Sequence, residues 1–203
     1  MNREELLQTI LDIWTQGGWL MIPLAAIALL IYFVGFELVF FFHRYGYDKW
    51  DKNTWGHWVD KPSDGEGRLG GAVAFAVDGR RDIATVRSRI AELRGAYIAP
   101  AQRRIRYLAT LVTVAPLTGL LGTVVGMIVT FSGLATSRGD SLDVVATGIS
   151  QALITTQTGL IIAIPGYMLV HHAKRRCTML EGFFAELEVR SAQKFERHHP
   201  QTS

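Results

Sequence analysis

Threonine, glutamine and glycine recur at helical spacing inside two long stretches of this chain that carry no charge. In the first, Thr113, Pro116, Gly119, Leu120, Thr123, Gly126, Met127 and Thr130 share one broad helical face, with Leu and Val largely opposite. In the second, Gly148, Ala152, Thr155, Thr156, Gly159, Ala163 and Gly166 form a stripe of small residues, with Gln151 and Gln157 beside it. Hydroxyl and amide oxygens can hydrogen-bond water and are acceptable ligands for a hard cation. Hydrocarbon would not select such groups, and inside a membrane they look toward protein or water. Thr113, Thr123, Thr130, Gln151, Thr155 and Thr156 are therefore expected to line a shared polar conduit. For any single Thr or Gly, packing is the simpler account. Gly119, Gly122, Gly126, Gly148 and Gly159 would let two helices approach closely, and Thr can satisfy backbone carbonyls with no further purpose. Pro116 and Pro165 either shape the conduit by freeing backbone groups or are tolerated kinks.

A proton relay needs a group that changes protonation, yet neither stretch contains Asp, Glu, His, Lys or Arg. This chain alone is a poor proton carrier, and if protons cross, a partner should bring the carboxylate. Glu37, the one carboxylate in an apolar run, lies within two turns of His43 and Arg44, where pairing or reaching for the interface would satisfy it. Other chemistry is sparse. The lone Cys177 cannot form an internal disulfide, and His171 and His172 have no third ligand in view, so no metal site and no cofactor are expected. No nucleophile with a base, paired carboxylates or phosphate-binding loop stands in a suitable setting, so an enzyme is not expected.

The elements that must position these residues follow from composition. Of 203 residues, 49% are hydrophobic and 19% charged, and the 21 Lys and Arg and 18 Asp and Glu crowd between uncharged runs. That pattern excludes a soluble enzyme with one continuous core as the default and favours an all-α polytopic membrane protein. Trp19 to Phe42 is a 24-residue run with one charge, long enough to cross a hydrocarbon core of about 30 Å. It reads as a first span over 19–42; the acidic segment before it and His43-Arg44 after it argue against a cleaved signal peptide. Tyr107 to Ser137 would overshoot the bilayer as a helix, so span two is placed at 107–133, with a short loop over 134–143 and span three at 144–170. Residues 43–106 carry 13 Lys and Arg and residues 171–203 carry six, against one in residues 1–18 and one, Arg138, between spans two and three. The positive-inside bias then puts residues 1–18 and the short loop outside, with the 43–106 loop and the 171–203 tail cytoplasmic. The loop should be largely helical, turning amphipathic from about Asp82 through Ile83, Val86, Ile90, Leu93 and Tyr97 and running into span two past Pro100. The tail repeats the pattern with Met179, Leu180, Phe183, Phe184 and Leu187 and should bundle with that helix. The net charge of +3 rests on residues flanking apolar runs, including Arg103, Arg104, Arg106 and Lys174 to Arg176, where anionic lipid explains it better than nucleic acid.

At Ala115-Pro116 and the following Leu117 to Met127 (LTGLLGTVVGM) the chain resembles the second-span signature of the MotA/TolQ/ExbB proton-channel proteins. Gly148 to Thr156 (GISQALITT) and Gly159 to Pro165 (GLIIAIP) are similar to that family's third-span pattern, so the resemblance covers roughly Ala101 to Val170. It implies an inner-membrane ring, a homopentamer, whose second and third spans enclose ExbD-like or TolR-like single-span helices bearing the ion-carrying Asp. It implies a motor that uses the proton motive force to drive a TonB-like protein for outer-membrane uptake. Thr123 and Thr156 look like the family's two pore-facing threonines. Where ExbB and TolQ proteins often place a Glu, this chain has Gln151, which cannot titrate. Sodium stays open as the ion; the likeness to ExbB favours protons. A TolQ-like role in envelope maintenance and a non-conducting helical scaffold are the alternatives.

Overall fold

Away from water a backbone must satisfy its polar groups internally, and every regular element among the described residues is a helix. The structure, a computed structural model, describes residues 3–44, 67–77, 83–136 and 141–198. Five helices result: α1 (Arg3–Gln16), α2 (Met21–Arg44), α3 (Gly67–Val77), α4 (Ile83–Thr136) and α5 (Ser141–His198). Three of them, α2, α4 and α5, are long and apolar enough to cross a membrane. At about 1.5 Å per residue, the 54 residues of α4 extend about 80 Å, so hydrocarbon can cover only part of its length. The same holds for the 58 residues of α5, which carries Pro165 within it. The expected loop helix and tail thus belong to the same two helices as the second and third expected spans, and α4 runs through Pro100 without a break.

The chain divides into two compact units, one of Met1–Gly35 with Tyr107–Val170 and one of Phe36–Arg106 with His171–Ser203. In the first, Leu20, Met21, Leu24 and Ile31 are buried with Leu108, Val112 and Ala115 of α4 and Ala152, Ile162 and Ala163 of α5. The α1–α2 elbow is made by Gly17, whose amide donates to the Ile13 carbonyl at 3.0 Å, and by Gly18 at φ 69°. That left-handed conformation is open to glycine at little cost. The other faces of these helices stay apolar and exposed, at Leu117, Leu121, Val124, Ile128, Leu160 and Ile164 among others. Apolar exposure on that scale marks a lipid or protein interface rather than a water-facing surface.

The second unit is a helical bundle with an apolar core and polar pairs at its surface. Ile90, Ile98, Ala101 and Ile105 of α4 are buried with Leu180, Phe183, Phe184 and Leu187 of α5, and Tyr97 stacks on Phe184 with ring centroids 6.2 Å apart. Met179, expected on the apolar face, is instead exposed. Arg87 pairs with Glu188 at 3.4 Å, and Gln102 hydrogen-bonds Glu181. Helix α3 lies within the loop expected to be largely helical: Val73 and Ala76 are buried, and Arg89 donates to the Phe75 carbonyl at 2.9 Å while lying 5.0 Å from that ring's centroid. A cation on the last turn of a helix satisfies a carbonyl the helix leaves open. The Trp-rich segment with Trp50, Trp55 and Trp58 lies outside the described residues.

Candidate functional site

The first unit brings α4 and α5 together through glycine. A methyl group on Gly119 would stand 2.9 Å from the Thr155 carbonyl oxygen and 3.1 Å from Thr156 Cα. One on Gly159 would stand 2.8 Å from the Ala115 carbonyl oxygen and 3.4 Å from Pro116 Cα. Gly126 faces Ala152 and Gly148, Gly122 faces the Thr155 side chain, and Gly148 faces the Thr130 hydroxyl. The absence of a side chain at each position is what lets the two backbones approach, as in membrane helix pairs generally.

That close approach sorts the threonines. Thr155 is buried, and its hydroxyl donates to the Ala152 carbonyl at 2.9 Å, with the Gly119 carbonyl at 3.5 Å. Thr130 is buried and donates to the Gly126 carbonyl at 2.9 Å. Thr156 is half-buried and reaches across to the Gly119 carbonyl at 3.0 Å, with that of Ala152 at 3.3 Å. Thr123, also half-buried, donates to the Leu120 carbonyl at 2.7 Å. Thr113 is exposed and donates to the Ala109 carbonyl at 2.9 Å. The structure therefore gathers Thr155, Thr156, Gly119, Gly122 and Gly159 at one crossing, places Thr130 with Gly126 and Gly148, and leaves Thr113 on an exposed face. Pro116 lies at the crossing, whereas Pro165 is exposed on α5.

Gln151 does something sequence reasoning missed. Its amide fills the notch at Gly18, where any side chain would collide with it. The signal was present in the Gly17-Gly18 pair ahead of the first apolar run, but nothing in the sequence pairs that elbow with a residue 133 positions later. A second missed partner lies in the other unit. There Arg104 Nη1 is 2.9 Å from Glu37 Oε1, and its guanidinium carbon is 5.7 Å from the Phe41 ring centroid. Cys177, beyond the third span expected at 144–170, is buried, and its thiol is pushed up to about 11 by burial and, secondarily, by the Glu181 charge.

Three membrane-length helices, two of them joined through a glycine and threonine crossing that contains no titratable side chain, define a polytopic helical membrane protein. The model of the MotA/TolQ/ExbB proton channel family matches residues 70–185, more than half of the chain, and the chain belongs to that family. It is 38% identical over 84 residues to the Tol-Pal system protein TolQ of Haemophilus influenzae, covering 41% of this chain and 37% of that protein. It is 43% identical over 76 residues to TolQ of Pseudomonas aeruginosa, covering 37% and 33%. To the biopolymer transport protein ExbB of Salmonella typhimurium it is 44% identical over 63 residues, covering 31% and 26%. The similar stretches thus span well under half of those proteins' own length.

Proposed function

We propose that the chain is an ExbB-like stator subunit of a bacterial inner-membrane motor, with residues 1–18 periplasmic and the tail cytoplasmic. Copies of it form a ring, a homopentamer, around single-span ExbD-like helices that carry the titrating Asp. Proton flow, worth about 2.3 kcal/mol per charge for each 100 mV, moves the ring relative to that core and drives a TonB-like protein toward outer-membrane transport. Thr123 and Thr156 are the hydroxyls of the ion path, with Gln151 beside it and Arg103, Arg106 and Lys174 to Arg176 meeting anionic headgroups on the cytoplasmic side.

One observation carries this reading. The family-matched spans hold hydroxyls on their half-buried faces and no group able to carry a proton, so the acid must come from another polypeptide. No enzymatic activity is assigned to it. The test is Thr156→Val, which keeps the shape and removes the hydroxyl: assembly with the Asp-bearing partner persists and energised uptake is lost. Normal uptake in that variant rejects the assignment. A TolQ-like role in envelope maintenance is the second reading, favoured by the 84-residue likeness to the Haemophilus protein. Deletion separates the two, since iron starvation follows from the first and envelope leakage from the second.

A further inference from the structure

The hydroxyls assigned to the ion path have already spent their protons. Each Thr hydroxyl has one O–H to donate and two lone pairs to accept with. Thr156 directs its O–H at the Gly119 carbonyl, 3.0 Å away on the facing helix, and the fallback acceptor, the Ala152 carbonyl at 3.3 Å, is again backbone. Thr123 directs its own at the Leu120 carbonyl, 2.7 Å away. Both side chains remain only half-buried, so what their oxygens can offer beyond the chain is lone pairs. Turning either hydroxyl outward to donate would forfeit that bond to the backbone. A hydroxyl that donates is also polarised into a better acceptor. Of the neighbouring donors, the Gln151 amide is lodged against Gly18.

We infer that the carbonyls of Gly119 and Leu120 set Thr156 and Thr123 as acceptors, so that this wall favours the partner's carboxyl group in its protonated, neutral form over the carboxylate. A protonated carboxyl donates to a lone pair, whereas a carboxylate only accepts and meets no donor in these two hydroxyls. Gly119 thereby acts as a positioning residue through its carbonyl, and its lack of a side chain is what lets Thr156 reach it. The inference rests on the ring-and-partner reading above and specifies which protonation state the ring holds.

The sign of a titration shift decides it. Bonding to the neutral form raises an acid's midpoint and bonding to the charged form lowers it. In the complex reconstituted with its Asp-bearing partner, infrared difference spectra taken across pH follow the carboxyl stretch of that Asp. Thr156→Val is expected to lower the midpoint by roughly half a unit to one unit, the size of one hydrogen bond, and Thr156→Ser to restore it. Should Thr156→Val fail to assemble, Thr123→Val gives the same reading. A midpoint that rises, or does not move, overturns the inference while leaving the ring intact. A wild-type complex in which no partner carboxyl titrates overturns the functional reading beneath it.

Discussion

Arg104 closes on Glu37 at 2.9 Å while its guanidinium lies over the Phe41 ring, so the one carboxylate in an apolar run is held by a cation from the loop helix. Both side chains are close to half exposed, which limits the pair to about 0–1 kcal/mol. Glu37→Gln is expected to lower thermal stability slightly and to leave energised uptake near wild type. Loss of uptake in an assembled Glu37→Gln complex would instead place this carboxylate on the ion path. Arg104→Ala removes the partner and the ring contact together, so its melting temperature should fall further than that of Glu37→Gln.

The elbow at Gly18 combines a positive φ with the Gln151 amide above it. Gly18→Ala is expected to cost about 1–2 kcal/mol from backbone strain alone, plus the displacement of that amide. Trimming the obstacle in Gly18→Ala/Gln151→Ala should recover the steric share and leave the strain, which a double-mutant cycle on thermal unfolding measures.

Glycines in these helices are not equivalent. At Gly159 an added side chain meets the backbone of Ala115, Pro116 and Gly119, none of which can rotate away, so Gly159→Val should cost about 2–3 kcal/mol and prevent the α4–α5 crossing. At Gly182 nothing lies within 4 Å of an added Cβ, and Gly182→Ala should stabilise the helix by about 0.5–1 kcal/mol. Unfolding of the two variants in detergent checks both signs.

Thr155 and Thr156 are adjacent and should respond differently. Thr155 is buried within its own chain, so Thr155→Val removes one internal bond at a cost of about 1 kcal/mol. Uptake per assembled complex should fall far less in that variant than in Thr156→Val.

With its thiol pushed up to about 11 by burial and by Glu181, Cys177 stays protonated and shielded at neutral pH. Maleimide at pH 7 should label it only after denaturation. The ordinary thiol value of 9.0 applies to the unfolded chain, so between about pH 9 and 11 the unfolded state has lost this proton and the folded state has kept it. Stability should therefore decline as pH rises through that window, and Cys177→Ala should flatten the decline.

The sequence by itself determined the helical class, the three membrane-length elements and the missing titratable group, because each of these depends on local composition and period. A 24-residue run with one charge and a 31-residue run with none have few alternatives to a spanning helix, and the ordered motifs from Ala115 and from Gly148 identify the family. Periodicity also marked Ile90, Leu180 and Leu187 as inward, but it put Met179 beside them, since hydrophobicity alone cannot tell a packed neighbour from an exposed one. Tertiary structure alone decided which threonine is internal, where each hydroxyl sends its proton, and that Gln151 meets Gly18 while Glu37 meets Arg104. The pairings of Gln151 and Glu37 join positions up to 133 residues apart, and the threonine contacts follow from where α4 and α5 cross through their glycines; both depend on how separate helices meet, which no local stretch of sequence specifies.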